Sequence, residues 1–141
     1  MKGLLFILIV AAIQHVSVSQ STYTCRCGTY LRDQTDPSKP ILNSVMYHAV
    51  IGNVDDCGAK GIETCKNQCI QVFGSAVGNL KCKRADGRSI YEMSCLLYNK
   101  NISGGKLAIF STTCSSGVWT FAKSVTENFC CQNYKPCPGY W

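Results

Sequence analysis

The sequence has 141 residues, 11 of them cysteine, and carries 14 lysines and arginines against 8 acidic residues, a net charge of +6. Hydrophobic residues make up 46% of the chain and charged residues 16%, which excludes intrinsic disorder, because a disordered chain has low hydrophobicity and high charge. The composition also lacks the Ala, Glu, Lys and Leu bias of a coiled coil. The length predicts one domain, and the cysteine content is that of a disulfide scaffold.

Residues 1–19 have the layout of a secretory signal peptide. Lys2 precedes an unbroken apolar run over residues 4–13, and small residues follow that run. A membrane anchor is the alternative, but the run is too short to cross the hydrocarbon core of a bilayer. We therefore expect residues 1–19 to be removed, residues 20–141 to form a single disulfide-rich domain, and the protein to be secreted into the extracellular space.

The first half of the mature chain predicts one extended segment and two helices. Residues 22–27 alternate in the manner of a strand, so Cys25 and Cys27 should face the same side. A helix is predicted over residues 39–51, because its apolar residues recur at helical spacing and Pro40 stands in its first turn. A second helix is predicted over residues 56–73, with Asp55 or Asp56 as its cap and Gly74 at its end.

The second half predicts strands. Residues 80–84 and 89–97 flank a turn that contains Asp86-Gly87, which is a hairpin signal. Residues 107–113 and 118–125 are rich in β-branched and aromatic residues and predict two further strands. The expected fold class is therefore α+β: a small disulfide-rich domain in which two helices are followed by a three- to four-stranded antiparallel meander.

The cysteines predict disulfide bonds rather than a metal site, because the chain is expected to be secreted and contains no Cys-x2-Cys pair. They are Cys25, Cys27, Cys57, Cys65, Cys69, Cys82, Cys95, Cys114, Cys130, Cys131 and Cys137. An odd number leaves one cysteine for a free thiol or an intermolecular bridge, and a disulfide-linked homodimer is the preferred outcome. Cys137 is the suspect, since it lies near the C-terminus. The adjacent Cys130 and Cys131 should bridge to different partners.

Two cysteine pairs predict a specific connection. Cys65 and Cys69 emerge from one helix face and Cys25 and Cys27 from one strand face, so two parallel bridges would join that helix to that strand. The arrangement resembles the cystine-stabilised αβ motif of defensins and scorpion toxins, in which a helical Cys-x3-Cys is bridged to a strand Cys-x-Cys. The resemblance covers these four cysteines, and here the Cys-x-Cys precedes the helix.

Four basic residues, Lys81, Lys83, Arg84 and Arg88, cluster around the predicted hairpin. They are the candidate binding residues, for an acidic protein receptor or for an anionic membrane or glycan surface. The alternative is a solvated hairpin edge on which lysines deter aggregation. Secretion argues against nucleic acid as the partner.

A separate motif, the sequon at Asn101, predicts N-glycosylation if it lies on the surface.

A catalytic set is hard to assemble from this sequence. His48 is the only histidine outside the signal segment, no Gly-x-Ser-x-Gly motif accompanies it, and a cysteine–histidine pair would need a free thiolate. A two-carboxylate hydrolase is a remote alternative, with Glu92 as its least easily dismissed acid. We expect no catalytic residues, no cofactor and no metal.

The features together favour a secreted, non-enzymatic, cysteine-rich effector, such as a toxin, a host-defence protein or an extracellular signal, that binds a membrane protein or a membrane surface. The first alternative is an extracellular matrix protein cross-linked by disulfides. Solubility before reduction would distinguish the two, because a cross-linked matrix component resists extraction until its disulfides are reduced.

Overall fold

The computed structural model describes residues 22–125 and 128–139, so the predicted signal peptide at residues 1–19 lies outside the described residues. The described chain has an α+β fold with antiparallel sheets. No helix within these ranges combines the length and the apolar character needed to cross a bilayer. The elements are β1 (Tyr23–Leu31), a short 3-10 helix (Leu42–Ser44), β2 (Tyr47–Val54), α1 (Ala59–Gly78), α2 (Ile90–Tyr98), β3 (Ile102–Gly105), β4 (Leu107–Thr113), β5 (Thr120–Ser124), β6 (Phe129–Gln132) and β7 (Lys135–Pro136).

The larger sheet has four antiparallel strands in the order β2-β1-β4-β5. Helix α1 packs across one face of this sheet. Cys25 and Cys27 of β1 are fully buried there against α1, together with Ile109 of β4. All seven residues of β4 are buried, because the sheet is covered on both faces, and this explains the continuous apolar and hydroxyl-bearing sequence of that strand.

An aromatic cluster covers the second face of the larger sheet. Tyr30 lies edge-on to Phe110, with ring centroids 5.9 Å apart, and to Trp119, at 5.1 Å. A Cβ atom on Gly28 would lie 2.4 Å from the Tyr30 ring and 3.2 Å from the Trp119 indole. The lack of a side chain at Gly28 therefore lets the aromatic rings lie against the backbone of β1.

A smaller three-stranded sheet, in the order β3-β6-β7, packs with α2. Phe129 of β6 is fully buried, with ring centroids 5.0 Å from Tyr91 and 5.5 Å from Tyr98, both in α2. Helix α2 begins with a capping box, in which the Ser89 hydroxyl accepts from the Glu92 N–H and the Glu92 carboxylate accepts from the Ser89 N–H. The capping box and the aromatic contacts define where this helix begins and which side it buries.

The helix predicted over residues 39–51 is wrong. The chain there forms the 3-10 helix Leu42–Ser44 and then β2, which pairs with β1 from Tyr47↔Thr29 to Val54↔Tyr23. Apolar residues at helical spacing also fit a strand, and pairing with a neighbouring strand overrides a weak local preference. Because β1 and β2 precede both helices, the expected order of helices followed by a meander is not confirmed.

The hairpin predicted around Asp86-Gly87 is correct only in its turn. The Arg84 N–H donates to the Arg88 carbonyl, and Gly87 has a φ of 82°. The flanking residues form one isolated bridge, Lys83↔Ser89, and residues 90–98 are helical rather than extended. The capping box of Ser89 and Glu92 stabilises the helical alternative.

The remaining predicted elements are confirmed with shifted ends. The helix expected over 56–73 is α1, which does not end at Gly74 as predicted but continues to Gly78, and the strands expected over 107–113 and 118–125 are β4 and β5. At the start of α1 the Asp56 carboxylate accepts from the N–H groups of Gly58 and Gly61. A Cβ atom on Gly61 would lie 1.8 Å from the Asp56 carbonyl oxygen, so this close approach requires glycine.

Tyr98 gives the fold a sensitivity to high pH. Its phenol is buried and donates to the Ser44 carbonyl oxygen, and burial raises the pKa of Tyr98 above its ordinary value of 10.0. The unfolded chain therefore loses this proton before the folded protein does. We expect its contribution to the free energy of unfolding to be complete below pH 10 and to fall as the pH rises above it.

Urea unfolding from neutral pH to about pH 11 checks this prediction. The Tyr98→Phe variant should lose about 1 kcal/mol of stability at neutral pH, because the hydrogen bond is removed. It should then lose less stability than the parent protein above pH 10. Parallel pH profiles for the two proteins would contradict the assignment to Tyr98.

Candidate functional site

All eleven cysteines lie within the described residues, and ten of them form five disulfide bonds. The pairs are Cys25–Cys65, Cys27–Cys69, Cys57–Cys114, Cys95–Cys131 and Cys130–Cys137. A small chain with this number of disulfides is typical of extracellular proteins. The adjacent Cys130 and Cys131 have different partners, as their spacing predicts.

The predicted connection between the Cys-x-Cys strand and the Cys-x3-Cys helix is confirmed. Cys25 and Cys27 of β1 bond to Cys65 and Cys69 of α1, and all four residues are fully buried. The sulfur atoms of Cys25, Cys65 and Cys69 lie within 4.8 Å of one another, a spacing that could suit a metal ion. Each sulfur is in a disulfide, however, so none of the three is a thiolate that could bind one.

Cys82 is the free cysteine, and its side chain is exposed. Cys137, the suspect on sequence grounds, is instead bonded to Cys130, seven residues away. The reason is local: β7 folds back along β6 and brings the two residues together, with the Cys137 N–H donating to the Cys130 carbonyl. Nearness to the C-terminus was therefore a poor guide to pairing.

Cys82 belongs to a segment of residues 81–88, all of them exposed, which we call the basic loop. It contains the four predicted binding residues Lys81, Lys83, Arg84 and Arg88. The loop is fixed at its base by backbone hydrogen bonds from the start of α2: the Ile90 N–H donates to the Cys82 carbonyl and the Tyr91 N–H to the Leu80 carbonyl. The backbone of the loop is thus held by α2 while its side chains face solvent.

The charge of the basic loop is not neutralised by ion pairs. Within residues 22–125 and 128–139 the salt bridges are Lys39–Asp36 and Lys66–Glu63, and neither involves the loop. Its one acid, Asp86, accepts a backbone hydrogen bond from the Arg88 N–H. Four cations and one anion therefore leave the loop strongly positive, which is the electrostatic arrangement that attracts an anionic surface.

A cavity of about 290 Å³ opens beside the basic loop. Its lining combines two cations of the loop with the start of α2 and one residue of β7: Lys81, Lys83, Gly87, Ser89, Tyr91, Glu92 and Pro136. The Glu92 carboxylate in this lining is already engaged in the capping box. The basic loop therefore borders a concave surface in which a partner could be held.

The two residues weighed for catalysis lie on different elements. His48 is exposed on β2, not on a helix as expected, and Glu92 caps α2. A second cavity, of about 310 Å³, lies beside the Cys57–Cys114 disulfide and is lined by serine, threonine and apolar side chains. Among the residues that the structure describes, its wall has no titratable side chain, because both of its cysteines are in that disulfide.

The sequon at Asn101 is accessible. Asn101 is exposed immediately before β3, and Ser103 is exposed as well. The Asn101 side-chain oxygen accepts from the Asn133 N–H in the turn between β6 and β7, at 3.0 Å. Surface position is the structural requirement for glycosylation at such a motif, and occupancy of the site stays a prediction.

Sequence reasoning found the cations of the basic loop but missed what holds them. The visible signal is Ser89-Ile90-Tyr91-Glu92, the Ser-x-x-Glu pattern of a capping box. Read as a helix start, it places the loop directly before a helix.

No family model, curated protein or solved structure matches this chain. What the described fold defines is a small disulfide-rich α+β protein.

Proposed function

We propose that the protein is a secreted, non-enzymatic effector that binds an anionic extracellular partner through the basic loop. The class includes toxins, host-defence proteins and extracellular signals, and the partner is an acidic receptor surface or an anionic membrane or glycan. The observation that carries the proposal is the loop itself: four exposed cations outside any ion pair of the described residues, on a backbone anchored to α2. The five disulfides support an extracellular setting.

The anchored backbone favours binding by these charges. Lysine and arginine side chains lose rotamer freedom when they are held against a partner, and a mobile loop would lose backbone freedom in addition. Here the loop backbone is already ordered by its turn and by α2. A cation close to an anionic membrane contributes about 1 kcal/mol, so four can give useful affinity at physiological salt and little at high salt.

The test replaces Lys81, Lys83, Arg84 and Arg88 together by alanine. If each charge contributes about 1 kcal/mol, the variant binds up to about a thousandfold more weakly. Binding is measured to immobilised sulfated glycan, to phosphatidylserine vesicles and to intact cells, each at low and high salt. The three measurements separate glycan, membrane and receptor as partners.

A matched control removes the same charge elsewhere. Lys60, Lys100, Lys123 and Lys135 are also exposed, and their joint replacement by alanine changes net charge equally. We expect this control to keep most of its binding. Equal losses in the two variants would mean that net charge, not the basic loop, governs binding, and unchanged binding in the loop variant would remove the loop from the proposal.

A second candidate function is that of a matrix component cross-linked through Cys82, and the exposed free thiol favours it. Intact mass of the secreted protein under non-reducing conditions tests this. We expect a disulfide-linked dimer that the Cys82→Ser variant cannot form, absence of residues 1–19, and a glycan that the Asn101→Gln variant lacks. A monomer with a free thiol at Cys82 would count against covalent cross-linking.

A further inference from the structure

Strand β2 leaves an uncharged edge on the larger sheet. It is the outermost strand of the order β2-β1-β4-β5, and within the described residues it pairs with β1 alone. Residues 40–54 contain no lysine, arginine, aspartate or glutamate, and His48 is their only basic side chain. An edge strand exposes backbone N–H and C=O groups that can pair with another strand, and charged residues are a usual protection against it.

The other edge strands of the described chain are protected. β5 is five residues long and carries the exposed Lys123, β3 has four residues and ends in two glycines, and β7 has two residues, Lys135 and Pro136. β2 has eight residues and a single protective feature, a bulge between Val50 and Gly52. The bulge leaves Tyr47–Val50 as a regular stretch with an open edge.

Large apolar side chains are exposed along this edge and its approach. Leu42 is 63% exposed, Val45 41%, Tyr47 52% and Val50 54%. Tyr47 lies on the α1 side of the sheet, with its ring centroid 5.5 Å from that of Phe73, whereas Val50 is opposite Arg26 on the other side. Exposed apolar surface is a sign of an interaction site, and here large apolar side chains are exposed on both faces of one open strand.

We propose that β2 pairs antiparallel with β2 of a second copy of this chain, forming one continuous eight-stranded sheet. The twofold axis stands perpendicular to the sheet, so each residue faces a residue from the same side of the partner's strand. Both α1 helices then lie on the same face of the joined sheet. The site is separate from the basic loop and from Cys82, so the inference goes beyond the proposed function.

The lack of charge along the β2 edge is what lets a second copy be the occupant. The chain has a net charge of +6, so two copies repel each other over most of their surface, but an uncharged strip on one copy meets the same strip on the other. Arg26, one strand in from the edge, would be separated from Arg26 of the other copy by three strand spacings, roughly 14 Å. That distance exceeds the screening length of about 8 Å at physiological salt.

The experiment uses the Cys82→Ser protein, which removes covalent dimers, and follows its mass by sedimentation over a wide concentration range. Val50 and Val72 are both 54% exposed, and Val72 lies on α1, so Val50→Lys and Val72→Lys are matched. We expect the parent and Val72→Lys to dimerise with rising concentration and Val50→Lys to stay monomeric. Amide hydrogen exchange in β2 should slow as the dimer forms.

A charge-exchange experiment guards against a folding defect in Val50→Lys. An equal mixture of Val50→Lys and Val50→Glu copies should dimerise again, because the opposite charges lie on adjoining strands. The proposal is wrong if the parent is monomeric at all concentrations. That result is also the one expected if β2 binds a strand of another protein instead. Equal effects of the two lysine variants, failure of the mixture to dimerise, or protection confined to other elements overturn the proposal as well.

Discussion

Replacing Cys57 and Cys114 together by alanine is expected to lower the free energy of unfolding by about 4 kcal/mol. The disulfide joins residues 57 apart in sequence, and in the chain-entropy account its main effect is to restrict the unfolded chain, more so for longer loops. The other disulfides do not shorten this loop, whereas Cys25–Cys65 already closes most of the loop of its neighbour Cys27–Cys69. Domains are typically stable by only about 5–15 kcal/mol, so this single change removes a large share.

The matched control is the double replacement of Cys130 and Cys137, which are seven residues apart. The same account gives about 2 kcal/mol for this shorter loop. Urea unfolding of both variants and the parent at one pH measures the difference. If the two variants lose the same stability, restriction of the unfolded chain is not the main contribution of these bonds.

The second large effect is expected at Phe129, where replacement by alanine should cost about 3–5 kcal/mol. Its ring is fully buried between β6 and α2 and contacts the rings of Tyr91 and Tyr98. This part of the core is also tied by the Cys95–Cys131 bond, which limits how far it can collapse into the space. Urea unfolding measures the loss.

Two comparison variants make the Phe129 result specific. Phe129→Leu keeps most of the apolar volume and should cost much less than alanine. Val118→Ala, at a side chain 68% exposed, should change stability by no more than about 0.5 kcal/mol. Because α2 anchors the basic loop, Phe129→Ala should also loosen that loop, which faster amide exchange at Cys82 and Ile90 would show. A fully stable Phe129→Ala protein would mean that α2 is held by other contacts.

The sequence predicts best where the signal is local. β1, α1, β4 and β5 follow from periodicity and composition over a few residues, and the bridges between β1 and α1 follow from the same periodicities applied to cysteine. Such features survive folding because each depends on side-chain direction within one element.

The incorrect predictions concern segments whose structure depends on contacts with residues far away in the sequence. Residues 39–51 have an apolar pattern that suits a helix or a strand, and β1 selects the strand by pairing with β2. The free cysteine could not be identified for the same reason, since Cys137 reaches Cys130 only because β7 folds back on β6. The α2 error is different: the Ser89–Glu92 pattern was present in the sequence, and the neighbouring Asp-Gly turn signal favoured a hairpin instead.

The neighbouring cysteines of β6 have a consequence for oxidative refolding. Phe129 and Cys131 are buried while Cys130 and Gln132 point outward, so alternation of the strand presents one cysteine to α2 and the other to the tail. If Cys130 and Cys131 exchanged their partners, β6 would have to turn its other face to α2, and Phe129 would then lie in solvent. Packing of Phe129 therefore disfavours the exchanged bonds, and species with Cys95 bound to Cys130 should be less stable than the native protein.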